Sequence, residues 1–297
     1  MNAHIGEISA RAAIQGVHEL AIKDLLFHLT PDETPSAGGE FAVSLAQAHG
    51  AFLTAASLAV DYPPQFANGG TFAGGLELSV ADSFGELSEQ NRKVAREAYD
   101  RLAQSFPVGL CSEFVTIETF PQLAADDFGR LARRFDLAVI AQGAPLAPDI
   151  ITGALFGSGR PALVLPRGFA GAARLTKAMV CWDGGAPAAK ALAESLPLLA
   201  RAEKVEIVCV KDEGKLPGRP SGLDIMRHLE RHGVVGVLSE LPASGDEGAA
   251  LLSHAAESGA DFIVMGAYGH WRLRELIFGG TTQKILGQSQ LPLFLAH

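Results

Sequence analysis

Strand-like apolar segments alternate with helix-like segments along the chain, and this order occurs twice. In the second half the strand-like segments are "AMVCWD", "KVEIVCV", "VVGVLSEL", "DFIVM" and "LPLFLAH", with helix-like segments between them. The first half repeats the order more loosely, from "DLLFHLT" to "PALVLP". Strands that alternate with helices form a parallel sheet covered on both faces. We therefore predict an α/β protein with two similar open five-stranded parallel-sheet domains.

The length of the chain fits this duplication. Its 297 residues, 48% of them hydrophobic, are enough for two domains of about 150 residues each. The halves meet near "PRGFAGAARLTKA", which we interpret as a linker. We place the first domain at residues 1–170 and the second at 171–297.

The net charge and the cysteine spacing indicate which partners the chain can bind and in which cellular compartment it folds. The net charge of −9 opposes binding to nucleic acid, which requires clustered Lys and Arg. The three cysteines show no CxxC spacing, which suits a reducing cytoplasm. Cys181 and Cys209 lie in apolar strand-like segments, so we expect buried, inert thiols.

Two segments bear on membrane insertion. The N-terminus has no basic stretch followed by an apolar core, so we do not predict a signal peptide. The uncharged window Ala42–Val60 is diluted by polar residues, and we interpret it as a helix ending near Gly50 followed by a buried strand. We expect a cytoplasmic protein that does not bind membranes.

Glycines follow the strand-like segment "DFIVM" at a distinctive spacing. In "MGAYGHWRLRELIFGGTT", two residues separate Gly266 from Gly269, and nine separate Gly269 from Gly279. Glycines let the backbone approach a ligand closely, and the first amides of a helix favour an anion. The stretch therefore predicts a phosphate site, although glycines that serve only a turn explain the spacing equally well.

This stretch, together with "WDGG" after the first strand of the second half, resembles the universal stress protein family. Nucleotide-binding members of that family carry Gly, two residues, Gly, nine residues, then Gly and Ser or Thr. Gly266, Gly269 and Gly279 fit this pattern. Gly280 occupies the Ser/Thr position, which is a departure, and Thr281 and Thr282 follow at once.

The resemblance implies that the second half binds ATP or another adenine nucleotide, with or without Mg²⁺. The implied binding residues are Asp183, Val210, Met265, Gly266, Gly269, Gly279, Gly280, Thr281 and Thr282. Asp183 would lie at the nucleoside end, the backbone of Val210 would read the adenine edge, and Met265 would pack near the base. From the residues alone, Asp183 has an alternative interpretation as a helix N-cap, and any β-branched residue would suit position 210.

The first half departs from this pattern twice. Thr30 stands where the second half has Asp183, and the segment after "DLAVIA" keeps Gly143 but lacks the spaced glycines. Pro145 and Pro148 stiffen that segment and remove amide donors. We predict a degenerate site there, with "GSG" at 157–159 as a small-anion site or, as we prefer, a helix-ending turn.

The predicted function is a nucleotide-binding stress-response protein with one site per chain. The resemblance implies that the halves pack as a pseudo-dimer through "PALVLP" and "LPLFLAH", and that chains associate in pairs. No set of nucleophile, base and oxyanion donors emerges, so we expect at most weak ATP hydrolysis. His228 and His232 have no local third ligand, so we predict no metal site. The alternatives are a nucleotide-free interaction module and an enzyme that uses Asp183.

Overall fold

A computed structural model of the protein describes residues 21–30, 37–60, 76–143, 146–211, 221–243, 245–267 and 280–297, without the side chains of 37 and 76–88. The chain forms two compact units. The N-unit contains Lys23–Arg160 and Arg167–Ala173, and the C-unit contains Pro161–Pro166 and Arg174–His297. The domain boundary between residues 170 and 171 stays a prediction.

The N-unit has a parallel sheet with helices between its strands. Its described strands are β1 (Asp24–His28), β2 (Phe52–Val60), β3 (Ser112–Thr119) and β4 (Leu137–Ala141). Its described helices are α1 (Ala37–His49), α2 (Leu76–Ala103), α3 (Ala124–Ala132) and α4 (Ala147–Thr152), and a π-helical turn over Gly153–Gly157 continues α4. The strand order is β3-β2-β1-β4. Each of these neighbouring pairs is parallel.

The C-unit repeats this plan. Its described strands are β5 (Ala162–Leu165), β6 (Lys177–Cys181), β7 (Lys204–Val210), β8 (Gly236–Leu241), β9 (Phe262–Gly266) and β10 (Leu293–Ala296). Its described helices are α5 (Ala186–Leu199), α6 (Gly222–Arg231), α7 (Glu247–Ser258) and α8 (Gly280–Gln288). The strand order is β5-β10-β9-β6-β7-β8, and β6 to β10 run parallel. The predicted α/β class with parallel sheets is therefore confirmed.

The fifth strand-like segment of the first half differs from the simplest expectation. β5 belongs to the C-unit, where it pairs antiparallel with β10 through Val164 and Leu293. The two segments predicted to meet, "PALVLP" and "LPLFLAH", do pair. The N-unit therefore contains the first four strands of the first half, while β5, the fifth strand of that half, belongs to the sheet of the C-unit.

Central strands are apolar because helices cover both faces of the sheet. All five residues of β4 are buried, and Phe262, Ile263 and Val264 of β9 are fully buried. The window Ala42–Val60 consists of the end of α1 followed by β2, as predicted. In the part of the chain that the structure describes, every helix is too short or too polar to cross a bilayer.

Candidate functional site

The strand order of the C-unit reverses between β6 and β9. From β6 the chain proceeds to β7 and β8 on one side, whereas β9 leads to β10 on the other. Cys181 and Met265 are neighbours in register at the carboxyl ends of these two strands. Open parallel sheets bind ligands outside the strand ends at such a reversal. Asp183 and Gly266 therefore flank the position that this fold offers to a ligand.

Asp183 shapes the turn between β6 and α5. Its exposed side chain accepts a hydrogen bond from the amide of Gly185 through Oδ1, at 2.7 Å. Gly185 itself is the N-cap of α5, so the alternative interpretation of Asp183 as the N-cap is wrong. This short-range bond fixes the direction of the carboxylate, and its role toward a nucleoside stays a prediction.

Gly266 has a packing role that the sequence did not reveal. A Cβ atom at this position would lie 2.4 Å from the amide nitrogen of Ala188 and 2.5 Å from the carbonyl carbon of Pro187. Both contacts are with the backbone at the start of α5, which crosses the end of β9. Only a glycine permits this approach, whether or not a ligand is present.

Met265 and Val210 lie at strand ends, as predicted. Met265 is 5% exposed on β9, and Val210 is the half-buried last residue of β7, in register with Leu241. Cys181, on the adjacent strand β6, and Cys209 are half-buried rather than buried. Burial of the Cys181 thiol, with smaller contributions from Cys209 and Asp183, raises its pKa to about 12, which disfavours the reactive thiolate. Contacts of Met265 and Val210 with a base stay predictions.

A cleft of about 500 Å³ opens where α7 and α8 begin. Its described lining residues are Lys211, Ala243, Gly245, Asp246, Glu247, Gly248, Gly280 and Thr281. The cleft thus brings two of the predicted residues together with the loop after β8. Asp183, Val210 and Met265 are not among these lining residues. Gly269 and Gly279 lie outside the described residues, so their positions stay predictions.

The start of α8 faces this cleft with backbone donors. Gly280 is exposed, and among the described residues nothing beyond its own helix backbone and chain neighbours lies within 4 Å of the position of a Cβ atom there. No described side chain accepts a hydrogen bond from the amides of Gly280 and Thr281. Thr282 is 6% exposed and packs toward the protein. The free amides and positive dipole end of α8 favour an anion in the cleft.

Charged side chains that sequence reasoning did not assign to the site line the same cleft. Asp246, the N-cap of α7, accepts a hydrogen bond from the amide of Ala249 at 3.1 Å. Its other oxygen accepts from Lys284 of α8. These two bonds, that of Lys284 first, hold the pKa of Asp246 below its usual value. The ammonium of Lys211 lies 3.1 Å from the carboxylate of Glu240.

A buried polar cluster fixes α7 against the sheet. Glu206, 6% exposed on β7, accepts hydrogen bonds from Ser239 at 2.5 Å and His254 at 2.8 Å. Burial raises the pKa of Glu206, but these bonds and the nearby Lys204 outweigh it and hold the pKa below its usual value. Ser239 and His254 contact the same oxygen, Oε1, so the histidine does not activate the serine. The cluster positions one wall of the cleft.

The corresponding segment of the N-unit is shorter, and the helix that follows it packs closely on α3. α4 begins six residues after β4 ends, whereas α8 begins 14 residues after β9 ends. Pro148 occupies the first turn of α4, so one helix-start amide is missing. A Cβ atom on Gly153 would lie 2.0 Å from the carbonyl oxygen of Ala125, which shows how closely α3 packs there.

The "GSG" sequence at 157–159 forms a helix-ending turn. Ser158 accepts a hydrogen bond from the amide of Arg160 at 2.8 Å. Arg133 donates to the carbonyl oxygen of Gly157 at 2.9 Å. The amide of Arg160 and the Nε of Arg133, two donors that an anion at this turn could use, thus bond to the protein itself. Elsewhere in the C-unit, His228 in the last turn of α6 and His232, directly after that helix, contact each other edge to face, with ring centroids 4.6 Å apart.

A parallel sheet with a cleft at its carboxyl edge and a helix start facing that cleft is the arrangement in which α/β proteins commonly bind ligands. Residues 175–297 match the model of the universal stress protein family. The second half of the chain therefore belongs to the universal stress protein family, as the resemblance predicted.

Individual relatives agree with this assignment. The universal stress protein Slr1230 of Synechocystis sp. is 29% identical over 137 residues, which cover 45% of this chain and 46% of that protein. The match thus spans about half of the relative. A universal stress protein structure from Archaeoglobus fulgidus is similar with a TM-score of 0.66 at 15% identity, covering 92% of this chain and 95% of that one.

A structure from Pseudomonas aeruginosa that carries the same family name has a TM-score of 0.53 at 13% identity, covering 93% of this chain and 94% of that one. At these identities the likeness concerns the fold alone. Since it extends over nearly the whole chain, the first half shares in it.

Proposed function

We propose that the C-unit binds ATP or another adenine nucleotide, and that the protein acts as a nucleotide-dependent regulator in a stress response. The cleft at the start of α8 carries this proposal. Its volume of about 500 Å³ lies in the usual range for small-molecule sites. Gly280 and Thr281 line it, and the amides there suit a phosphate.

Within this proposal the predicted residues divide into two groups. Asp183, Val210 and Met265, at the ends of β6, β7 and β9, would contact the nucleoside. Gly266, Gly269 and Gly279 to Thr282 would hold the ribose and phosphates. Any Mg²⁺ would arrive with the nucleotide, and cleft carboxylates such as Glu247 are of the type that this ion prefers. A universal stress protein has been solved with cAMP, but its TM-score of 0.33 is too low to assign a ligand here.

The carboxylates near the site favour regulation over catalysis. Asp183 accepts from Gly185, and Asp246 accepts from Ala249 and Lys284. These bonds occupy carboxylate lone pairs that proton abstraction would use. We therefore propose at most weak hydrolysis. We further propose that each chain has one site and that the protein is cytoplasmic. The halves would pack as a pseudo-dimer, and chains would associate in pairs.

Isothermal titration calorimetry with ATP, ADP and AMP tests the proposal directly. Mass spectrometry of small molecules released from the purified protein by denaturation provides a second measurement. Nucleotide release or a saturable heat is expected. If the protein releases no nucleotide and gives no heat with all three ligands, the nucleotide function is wrong.

Two neighbouring glycines should respond in opposite ways to substitution. Gly279→Val is expected to abolish nucleotide binding, because a branched side chain would occupy the predicted phosphate position. Gly280→Ser is expected to leave binding intact or strengthen it, because the site of its Cβ is open and a hydroxyl donor is added. Calorimetry with ATP on both variants measures the difference. Equal loss in both would contradict the predicted cradle.

The alternative function is a nucleotide-free interaction module of the same fold. Gly266 supports it, because packing against α5 explains this glycine without a ligand. Gly280 also supports it, because it stands where nucleotide-binding members of the family have Ser or Thr. The module would release no nucleotide and would behave identically with and without ATP in a thermal unfolding assay, whereas a bound ligand raises the unfolding temperature.

A further inference from the structure

The ion pair between Asp246 and Lys284 lies at the edge of the proposed phosphate position. Asp246 lines the same cleft as Gly280 and Thr281. Lys284 follows these residues by one turn of α8, and its ammonium donates to Oδ2 of Asp246. The carboxylate therefore adds a negative charge, beside that of Glu247, to a cleft in which the start of α8 favours an anion, and it also binds the ammonium of Lys284.

The lysine is held toward Asp246 by packing as well as by charge. A Cβ atom on Gly248 would lie 3.2 Å from both Cβ and Cδ of Lys284, so the aliphatic part of the lysine crosses the first turn of α7. The side chain of Lys284 is 29% exposed and that of Asp246 is 50% exposed. The lysine thus runs along the protein surface to the carboxylate instead of extending into solvent.

We propose that Asp246, through its pair with Lys284, determines specificity by limiting the number of phosphate charges that the cleft accepts. The inference rests on the proposed nucleotide function. A phosphate at the start of α8 and the carboxylate of Asp246 compete for the same ammonium, and the two anions repel each other. Removing the carboxylate ends the repulsion and frees Lys284 for the ligand. Because each further phosphate adds charge, the gain should increase from AMP through ADP to ATP.

Asp246→Ser tests this inference, because serine retains an N-cap acceptor for α7 while it removes the charge. We expect the affinity for ATP to rise about three- to tenfold and that for AMP to rise less than about twofold, measured by calorimetry at low salt. High salt should shrink the difference. The control is Glu257→Gln, which removes the same charge at the far end of α7 and should leave the ATP-to-AMP ratio unchanged.

The role of the lysine is tested by adding Lys284→Met to Asp246→Ser. The gain for ATP should then shrink to the part that comes from the lost repulsion, since no ammonium at position 284 is left to bind the added phosphates. Thermal unfolding of each variant verifies that the fold is intact. If Asp246→Ser fails to fold, Asp246→Asn provides the same loss of charge with a side chain of the same size.

The outcomes separate this inference from the function on which it rests. Binding by the unmodified protein with an unchanged ATP-to-AMP ratio in Asp246→Ser overturns the inference alone. Binding only after Asp246→Ser supports it, because the pair then excludes the nucleotide. Absence of binding in every form overturns the proposed function and this inference together.

Discussion

Replacing Gly266 with alanine is expected to lower the free energy of unfolding of the C-unit by about 3 kcal/mol. The added Cβ would stand 2.4 Å from a backbone nitrogen of α5, and a backbone cannot turn aside as a flexible side chain can. β9 and α5 would have to separate, which would open the core around the buried strand. Urea unfolding followed by circular dichroism measures the loss.

Gly280→Ala is the matched control, because in the part of the chain that the structure describes nothing crowds the position of its new Cβ within 4 Å. At the start of a helix, alanine should change the free energy of unfolding by less than about 1 kcal/mol and in the stabilising direction. If Gly266→Ala were equally stable but lost nucleotide affinity, the glycine would serve the ligand alone. A stability loss accompanied by reduced affinity would show that the packing of α5 on β9 also builds the site.

Acid is expected to destabilise the N-unit through His28. This imidazole is 4% exposed on β1, its Nδ1 has no hydrogen-bond partner among the residues that the structure describes, and its ring contacts Phe128 edge to face. Burial lowers its pKa from 6.5 to about 4. Between pH 6.5 and about pH 4, His28 therefore binds a proton in the unfolded chain but stays largely neutral in the folded chain. The contribution of His28 is complete above pH 6.5 and falls by about 2 kcal/mol at pH 5 and about 3 kcal/mol at pH 4.

His28→Leu isolates this effect, because leucine fills a similar volume and does not titrate. Urea unfolding at pH 7.5 and pH 5 should show a smaller loss of stability for the variant than for the unmodified protein, by about 2 kcal/mol. Carboxylates titrate equally in both proteins and cancel in the comparison. An identical pH dependence of the two would show that His28 accepts a proton without cost in the folded state.

The order of strands and helices could be predicted because it depends on local composition. β9 is an unbroken apolar segment, and α7 ends at Gly259, whose positive φ of 67° favours glycine. The membership of β5 in the C-unit could not be derived from the repeat itself. Its sequence aligns with that of β10, and only the antiparallel pairing of the two strands decides where it packs.

The site was predictable in part, for a physical reason. Gly266 ends β9 and Asp183 lies two residues after β6, so the edge of the sheet to which they belong is fixed by the fold. Asp246 and Lys284 come from two different helices, and their meeting depends on how α7 and α8 pack. The packing role of Gly266 likewise depends on the path of α5, and a spacing of glycines in a sequence does not specify such a path.

The placement of β5 affects how this protein can be dissected. The sequence of the C-unit is interrupted, because N-unit segments precede β5 and resume at Arg167. A single proteolytic cleavage at the linker would therefore not release two complete units. A fragment that begins at residue 171 would leave one side of β10 uncovered, and such an open edge recruits strands from other molecules. Gene splitting at the repeat boundary would thus divide a sheet, and fragments intended for isolated study should begin before Pro161.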